Sequence, residues 1–216
     1  MDDAINFIRN HLKDSAEDPL GYFYLLIKLH KQPISGCPIC SDCGSLPHAL
    51  GRWVDKTLQP IVKDQALYLK NSAALKEEPK CMEMPPNPSL FAYDVGAMYP
   101  SINTAQCIAR LSEYLSSPEI SSKYGFSPKA LLEALTLVML NNHMWFGVII
   151  VKQLSGIAMG MLPASMIANL FVAIFENHKS CSTCAVSLTT ALVSGSMIQT
   201  HSLRRAVVSS GFLASG

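Results

Sequence analysis

The apolar positions of this chain fall into short blocks whose period changes along the sequence. Tyr22-Phe-Tyr-Leu-Leu-Ile-Lys28 is rich in aromatic and branched residues and predicts a strand. Pro33, Gly36 and Pro38 act as breakers and predict a loop after it. Leu50, Val54 and Leu58 then recur at helical spacing, with Trp53 flanking the stripe. Pro47 is well placed as the first residue of a helix to about Gln59. Residues 61–78 continue as mixed helix. Before all of this, residues 1–19 read as a short polar helix that stops at Pro19.

Pro79, Pro85, Pro86 and Pro88 make a stiff connector and the best candidate for a boundary. The apolar run Leu90–Tyr93 behind it reads as a buried strand ending in Asp94. Asn103 with Gln106 three residues on is a capping-box pattern that opens a helix to about Leu115. Ser127-Pro128 opens another, with Leu131, Leu132, Leu135, Val138 and Met139 on its apolar side and an end near Asn141. Residues 143–153 predict a β-hairpin turning at Gly147. A loop bounded by Gly156 and Gly160 leads into a buried helix from Pro163 to Glu176. Residues 177–216 contain no Asp and no Glu and are dense in small residues. They read as an unrelated or frame-shifted tail.

Composition narrows the class. With 216 residues, 49% hydrophobic and 15% charged, the chain has enough apolar mass for a real core. Its 17 basic against 16 acidic residues are not the balance of a strongly basic nucleic-acid binder, and they do not exclude such a partner. Met1-Asp-Asp lacks the basic start of a signal peptide, and seven cysteines fit a reducing compartment. Leu162–Phe175 is too short for the ~20 residues of a membrane span. The expectation is an intracellular protein, nuclear or cytoplasmic, with no membrane partner.

The chemistry rests first on Asp94. A carboxylate at the end of a buried strand is a hard oxygen ligand at the mouth of a sheet, suited to Mg²⁺ and a phosphate-bearing substrate. The same pattern also describes an Asp in an ordinary turn. Local pattern leaves both readings open.

Three blocks in series bring in a resemblance. Phe23-Tyr-Leu-Leu-Ile-Lys28-Leu-His-Lys31 with Gly36-Cys-Pro-Ile39 and Gly44-Ser resembles the fingers motifs of reverse transcriptases, in the form found in Penelope-like and related retroelements. Phe91-Ala-Tyr-Asp94-Val-Gly-Ala-Met-Tyr99-Pro-Ser-Ile102 resembles the first palm motif. Gln153-Leu-Ser-Gly156-Ile-Ala-Met-Gly160-Met-Leu-Pro163 through Phe171 resembles the second. The match covers about residues 20–176, in the family's order. It implies an α+β fold: an antiparallel palm sheet backed by helices, with fingers made from the N-terminal third. The implied parts are an N-terminal polar segment (1–19), a fingers-like region (20–88), a partial palm (89–176) and the tail (177–216).

The resemblance implies RNA-templated DNA synthesis by two-metal nucleotidyl transfer, with RNA template, DNA primer and dNTP as partners. Asp94 would be a catalytic Mg²⁺ carboxylate, and the Val95 carbonyl a further metal ligand. Lys28 would meet the incoming triphosphate, with Lys31 either beside it or solvated. Tyr99 falls where the family places an aromatic gate against the 2′-OH; a plain core aromatic is the alternative. Met159 would rest against the new base pair, and Gly160, like Gly156, would let backbone approach the nucleotide closely.

The departures are specific. Cys37 stands where the family's motif has arginine, and a thiol carries no fixed positive charge. The third palm motif, a hairpin with paired aspartates, has no counterpart in the carboxylate-free tail. On this reading the chain as written is inactive. A family-B DNA polymerase is a second reading, because its "D-x-x-S-L-Y-P-S-I" run is close to Asp94–Ile102; its "K-x3-N-S-x-Y-G" helix has no counterpart here. A third is a non-catalytic nucleic-acid or zinc-binding module: Cys37, Cys40 and Cys43, with His48 following, have spacing that Zn²⁺ can use, and His178, Cys181 and Cys184 echo it.

Overall fold

The computed structural model describes residues 2–12, 19–29, 32–65, 68, 70–71, 73 and 97–178. The expected connector, the Asp94 strand and the tail from 179 onward lie outside them. The described residues form an α+β arrangement of a four-stranded sheet and helices. The chain divides into two units, residues 1–61 with 97–168, and residues 62–96 with 169–216.

In the first unit, strands β1 (Gly21–Lys28) and β2 (Ser35–Ser41) pair antiparallel, from Tyr22 opposite Ser41 to Lys28 opposite Ser35. Strands β3 (His143–Phe146) and β4 (Ile149–Lys152) form a second hairpin. Gly147 makes its turn at φ 61°, in the left-handed region that glycine enters without a Cβ penalty. The two hairpins join through β1 and β3, and the sheet order is β2-β1-β3-β4.

That junction departs from the expected antiparallel sheet. β1 and β3 run parallel, with Gly21 opposite Met144 and Tyr22 opposite Trp145, so the sheet is mixed. A second departure is β2 itself, where three breakers predict a loop. Pro38 sits opposite Leu25 within the strand. β2 is an edge strand, where a residue without an N–H leaves no ladder bond unmade if that position faces outward. Much of β1 beyond the β3 junction stays open to solvent, with Tyr24, Leu25, Leu26 and Ile27 each about half exposed.

Helix α1 (Asp2–Leu12) meets helix α2 (Leu46–Lys63) where the Lys56 ammonium lies 5.1 Å from the centre of the Phe7 ring. α2 outruns its predicted end, continuing through Pro60, which removes one backbone bond from the helix interior. Val54, Leu58 and Ile61 are fully buried along one face, while Leu50 is half-buried. Each such side chain contributes roughly 1.5–3 kcal/mol of burial.

After the short helix α3 (Met98–Ser101), helix α4 (Thr104–Leu115) begins as its sequence predicts: the Gln106 amide donates to Asn103 Oδ1 at 2.9 Å. α4 packs against helix α6 (Pro128–Leu140), with Cys107, Leu111 and Leu115 buried on one and Leu131, Leu135 and Val138 on the other. Between them lies α5 (Pro118–Tyr124), which apolar periodicity does not reveal. Its signals are terminal: Pro118 in the first turn and Gly125 at φ 67° after the last.

Helix α7 (Ala164–His178) crosses from the first unit into the second, with Ile167 and Ala168 buried in its first half. The described part of the second unit is the end of α2, the residues after it, and the rest of α7. There Phe171 and Phe175 meet edge to face, 4.9 Å between centres. No helix among the described residues is long and apolar enough to cross a membrane.

Candidate functional site

The loop from Gly156 to Gly160 is fastened at both ends. At one end the Ile157 amide donates to the Tyr99 carbonyl at 2.9 Å, and the buried Thr104 hydroxyl donates to the Gly156 carbonyl at 3.1 Å. Gly156 sits at φ 90°, and a β-carbon there would come within 2.9 Å of Pro100 Cα. At the other end the Cys40 amide donates to the Met159 carbonyl at 2.6 Å. Gly160 sits at φ 107°, with space for a β-carbon closed off by the Cys40 carbonyl at 2.9 Å. Both glycines are thus required twice, by conformation and by close backbone approach.

This fastening encloses a cleft of about 390 Å³ in the first unit. Phe23, Pro38 and Cys40 of the β1–β2 hairpin line one side; Pro100, Phe146 and Met159 are among the other walls. Phe23 and Phe146 meet edge to face at 5.3 Å. The polar groups are few, chiefly Lys152, Gln153 and Ser155. The Cys40 thiol donates to Gln153 Oε1 at 3.4 Å, and burial pushes it up to about 11, so it stays protonated. Apolar walls with a sparse polar margin suit a largely apolar group that carries a few hydrogen-bonding atoms.

The predicted site residues are distributed unevenly. Met159 lines the cleft, and its sulfur accepts from the Cys37 thiol at 3.6 Å. Gly160 closes the loop as described. Tyr99 lies on α3 beside the cleft residue Pro100, and its backbone carbonyl holds the loop. Its ring is largely buried, which pushes the phenol up to about 12 and keeps it neutral. Lys28 ends β1, opposite Ser35, about 16 Å along the strand from Phe23. It has no ion-pair partner among the described residues. Lys31, Asp94 and Val95 lie outside the described residues.

The three cysteines of the predicted zinc cluster are not gathered. Cys37 and Cys40 are three residues apart on an extended strand, so their side chains leave opposite faces. Cys37 is buried against Met159, and Cys40 faces Gln153. Cys43 and His48 do come together, and their third neighbour is Asp42, which sequence reasoning passes over. An Asp before Cys-Gly-Ser reads as a turn residue, and nothing local shows that its carboxylate turns inward.

Asp42 Oδ2 accepts from the Leu162 amide at 3.3 Å, and Asp42 Oδ1 lies 3.3 Å from His48 Nδ1. Burial raises the Asp42 carboxyl above its usual range, against the opposing pull of His48 and the Leu162 amide. The Ser45 hydroxyl and amide both donate to the Asp42 carbonyl, at 2.6 and 3.0 Å, and fix the turn ahead of α2. Comparison with known families, characterised proteins and solved structures finds no match to this chain.

Proposed function

We propose that this chain is the nucleotide- and template-engaging part of a reverse-transcriptase-like polymerase, with fingers and partial palm, and that it binds without polymerising. The observation that carries the reading is the double fastening of the Gly156–Gly160 loop. It brings the second palm-like block onto Tyr99 of the first and onto Cys40 next to the fingers-like block, three segments far apart in sequence. A lone motif match has no reason to do this; three parts of one binding site do.

On this reading the cleft receives a nucleobase of the template–primer duplex, with Phe23, Pro38 and Met159 among its apolar walls. Lys28 supplies positive charge to a triphosphate, and Tyr99 limits the space at the sugar. Mg²⁺ in such polymerases stabilises the attacking and leaving oxygens. Asp94 and the Val95 carbonyl would hold it here. The sequence offers no paired aspartates after the second palm-like block, and residues 177–216 carry no carboxylate at all. Polymerisation therefore needs a carboxylate that this sequence does not supply.

The test is binding of a labelled RNA template–DNA primer duplex to the full chain, followed by dNTP and Mg²⁺ titration. The expected result is a salt-dependent complex that dNTP tightens, with Lys28→Ala weakening the dNTP effect by about tenfold or more, in line with loss of roughly 1.5–3 kcal/mol of charge-assisted bonding. No primer extension is expected. Failure to bind the duplex, or a dNTP effect unchanged by Lys28→Ala, overturns the reading.

A further inference from the structure

We infer that Asp42, Cys43 and His48 form a zinc site with three protein ligands and an open fourth position. The inference stands apart from the polymerase reading, and none of its three ligands has a role there. The ligand atoms of these three side chains lie within 4.8 Å of one another, the one such group of three among the described residues.

The distances are close to those that a metal would impose. The 3.3 Å between His48 Nδ1 and Asp42 Oδ1 is long for a charge-assisted bond, which runs nearer 2.7–2.9 Å. Two ligands on a tetrahedral zinc, with bonds of about 2.0–2.2 Å, stand about 3.4 Å apart. A thiolate at about 2.3 Å from the metal stands about 3.6 Å from a ring nitrogen, and the Cys43 sulfur lies within 4.8 Å of both other ligand atoms. The observed separation lies between the outer end of an ordinary N–H···O bond, about 3.2 Å, and the ligand-to-ligand value, so a metal could enter with little movement of either side chain.

The surroundings are those that orient ligands. The Leu162 amide holds Asp42 Oδ2 and leaves Oδ1 directed at His48, while the Ser45 contacts fix the turn that carries Asp42 and Cys43. His48 is set by the first turn of α2. Such second-sphere bonds are how proteins fix ligand direction. Asp42 and His48 are mostly covered, with side chains 12% and 20% exposed, whereas Cys43 is exposed and leaves one side open to water. Thiolate, imidazole and carboxylate together favour zinc over magnesium or calcium, which take oxygen ligands.

The protons balance simply. Cys43 releases its thiol proton to water as the sulfur–zinc bond forms. The His48 ring proton moves from Nδ1 to Nε2 as Nδ1 takes the metal. Nε2 then becomes a donor and releases the exposed Arg52 guanidinium, which sits 3.5 Å from it at the margin of a hydrogen bond.

The test uses the full chain, stripped with chelator and titrated with Co²⁺ as a spectroscopic stand-in for zinc. A tetrahedral site with one thiolate gives visible ligand-field bands and a near-ultraviolet sulfur-to-cobalt band, both displaced by Zn²⁺ and not by Mg²⁺. Cys43→Ser should abolish the near-ultraviolet band, and His48→Gln should weaken binding by more than the roughly 10–100-fold lost with an outer-sphere partner. Cys40→Ser should change neither. Circular dichroism of each variant separates loss of a ligand from loss of fold. No sulfur-to-cobalt band at excess Co²⁺, or a band that survives in folded Cys43→Ser, overturns the inference.

Discussion

Gly160 and Cys40 approach so closely that their backbones are in contact, with the Met159 carbonyl accepting from the Cys40 amide immediately beside them. Gly160→Ala therefore meets two penalties, a positive φ and a carbonyl oxygen at 2.9 Å. We expect a loss of at least roughly 1–3 kcal/mol, measured as a lower urea midpoint at unchanged slope. Gly156→Ala should behave alike, against Pro100. Gly147→Ala is the control: its φ is 61°, but no atom lies within 4 Å of the added carbon, so only about 1–2 kcal/mol of backbone strain remains. Equal losses at all three positions would show that close approach contributes nothing.

The raised Asp42 carboxyl gives stability a defined pH dependence. A carboxyl whose folded pKa exceeds its unfolded value of about 3.9 holds its proton longer in the folded state. Its contribution is fully present below the unfolded value and is lost as pH rises through the folded one. Asp42→Asn removes that slope while leaving an oxygen for the Leu162 amide. Denaturant melts of both proteins in chelator from pH 3.5 to 6 should show the difference between them changing only across this window. A constant difference would mean that burial does not control the carboxyl.

Cysteine reactivity should follow burial. With Cys40 near 11, about one thiol in a thousand is thiolate at pH 8, and Cys107, pushed up to about 12, is fully buried as well. Iodoacetamide on the native, metal-free chain should label the exposed Cys43 and spare both until denaturant is added. Peptide mass spectrometry reads the order directly. Labelling of Cys40 as fast as Cys43 would contradict the burial of the cleft wall.

The cleft assignment is tested at Phe146, about half exposed and in edge-to-face contact with Phe23. Phe146→Ala should cost only about 0.5–1.5 kcal/mol of stability beyond its share of burial. If a base stacks in the cleft, the same change should weaken binding of the template–primer duplex by about tenfold or more, since stacking on an aromatic is worth roughly 1–3 kcal/mol per base. Tyr99→Ala should narrow any preference for dNTP over the ribonucleotide. Duplex affinity that ignores Phe146 would place the duplex elsewhere.

How much of this was legible in the sequence depends on how local the signal is. The Asn103 cap, the Gly147 turn and the Ser127-Pro128 helix start are decided by residues within four positions, and each stands where the pattern places it. β2 was not legible, because whether Pro38 breaks a strand depends on its standing at an edge. The parallel β1–β3 pairing was not legible either, since periodicity within one strand is silent about its partner. In the candidate site, motif order singles out Met159 and the two glycines; the structure sets Met159 on the cleft wall and the glycines at the fastened ends of their loop, and their role toward a nucleotide belongs to the proposal. Asp42 was missed because its inward turn is set by Leu162, 120 residues further along.

The parallel junction also sets an order of events as the chain is made. The β1–β2 hairpin can close once Ser41 is available, but the free side of β1 meets its partner only when Met144 and Trp145 have been synthesised. At about 5–20 residues per second that is a delay of many seconds, during which Gly21 and Tyr22 present an unpaired strand edge. The nascent chain is then most exposed to mispairing and to chaperone capture, and a ribosome stalled before residue 143 would hold it there.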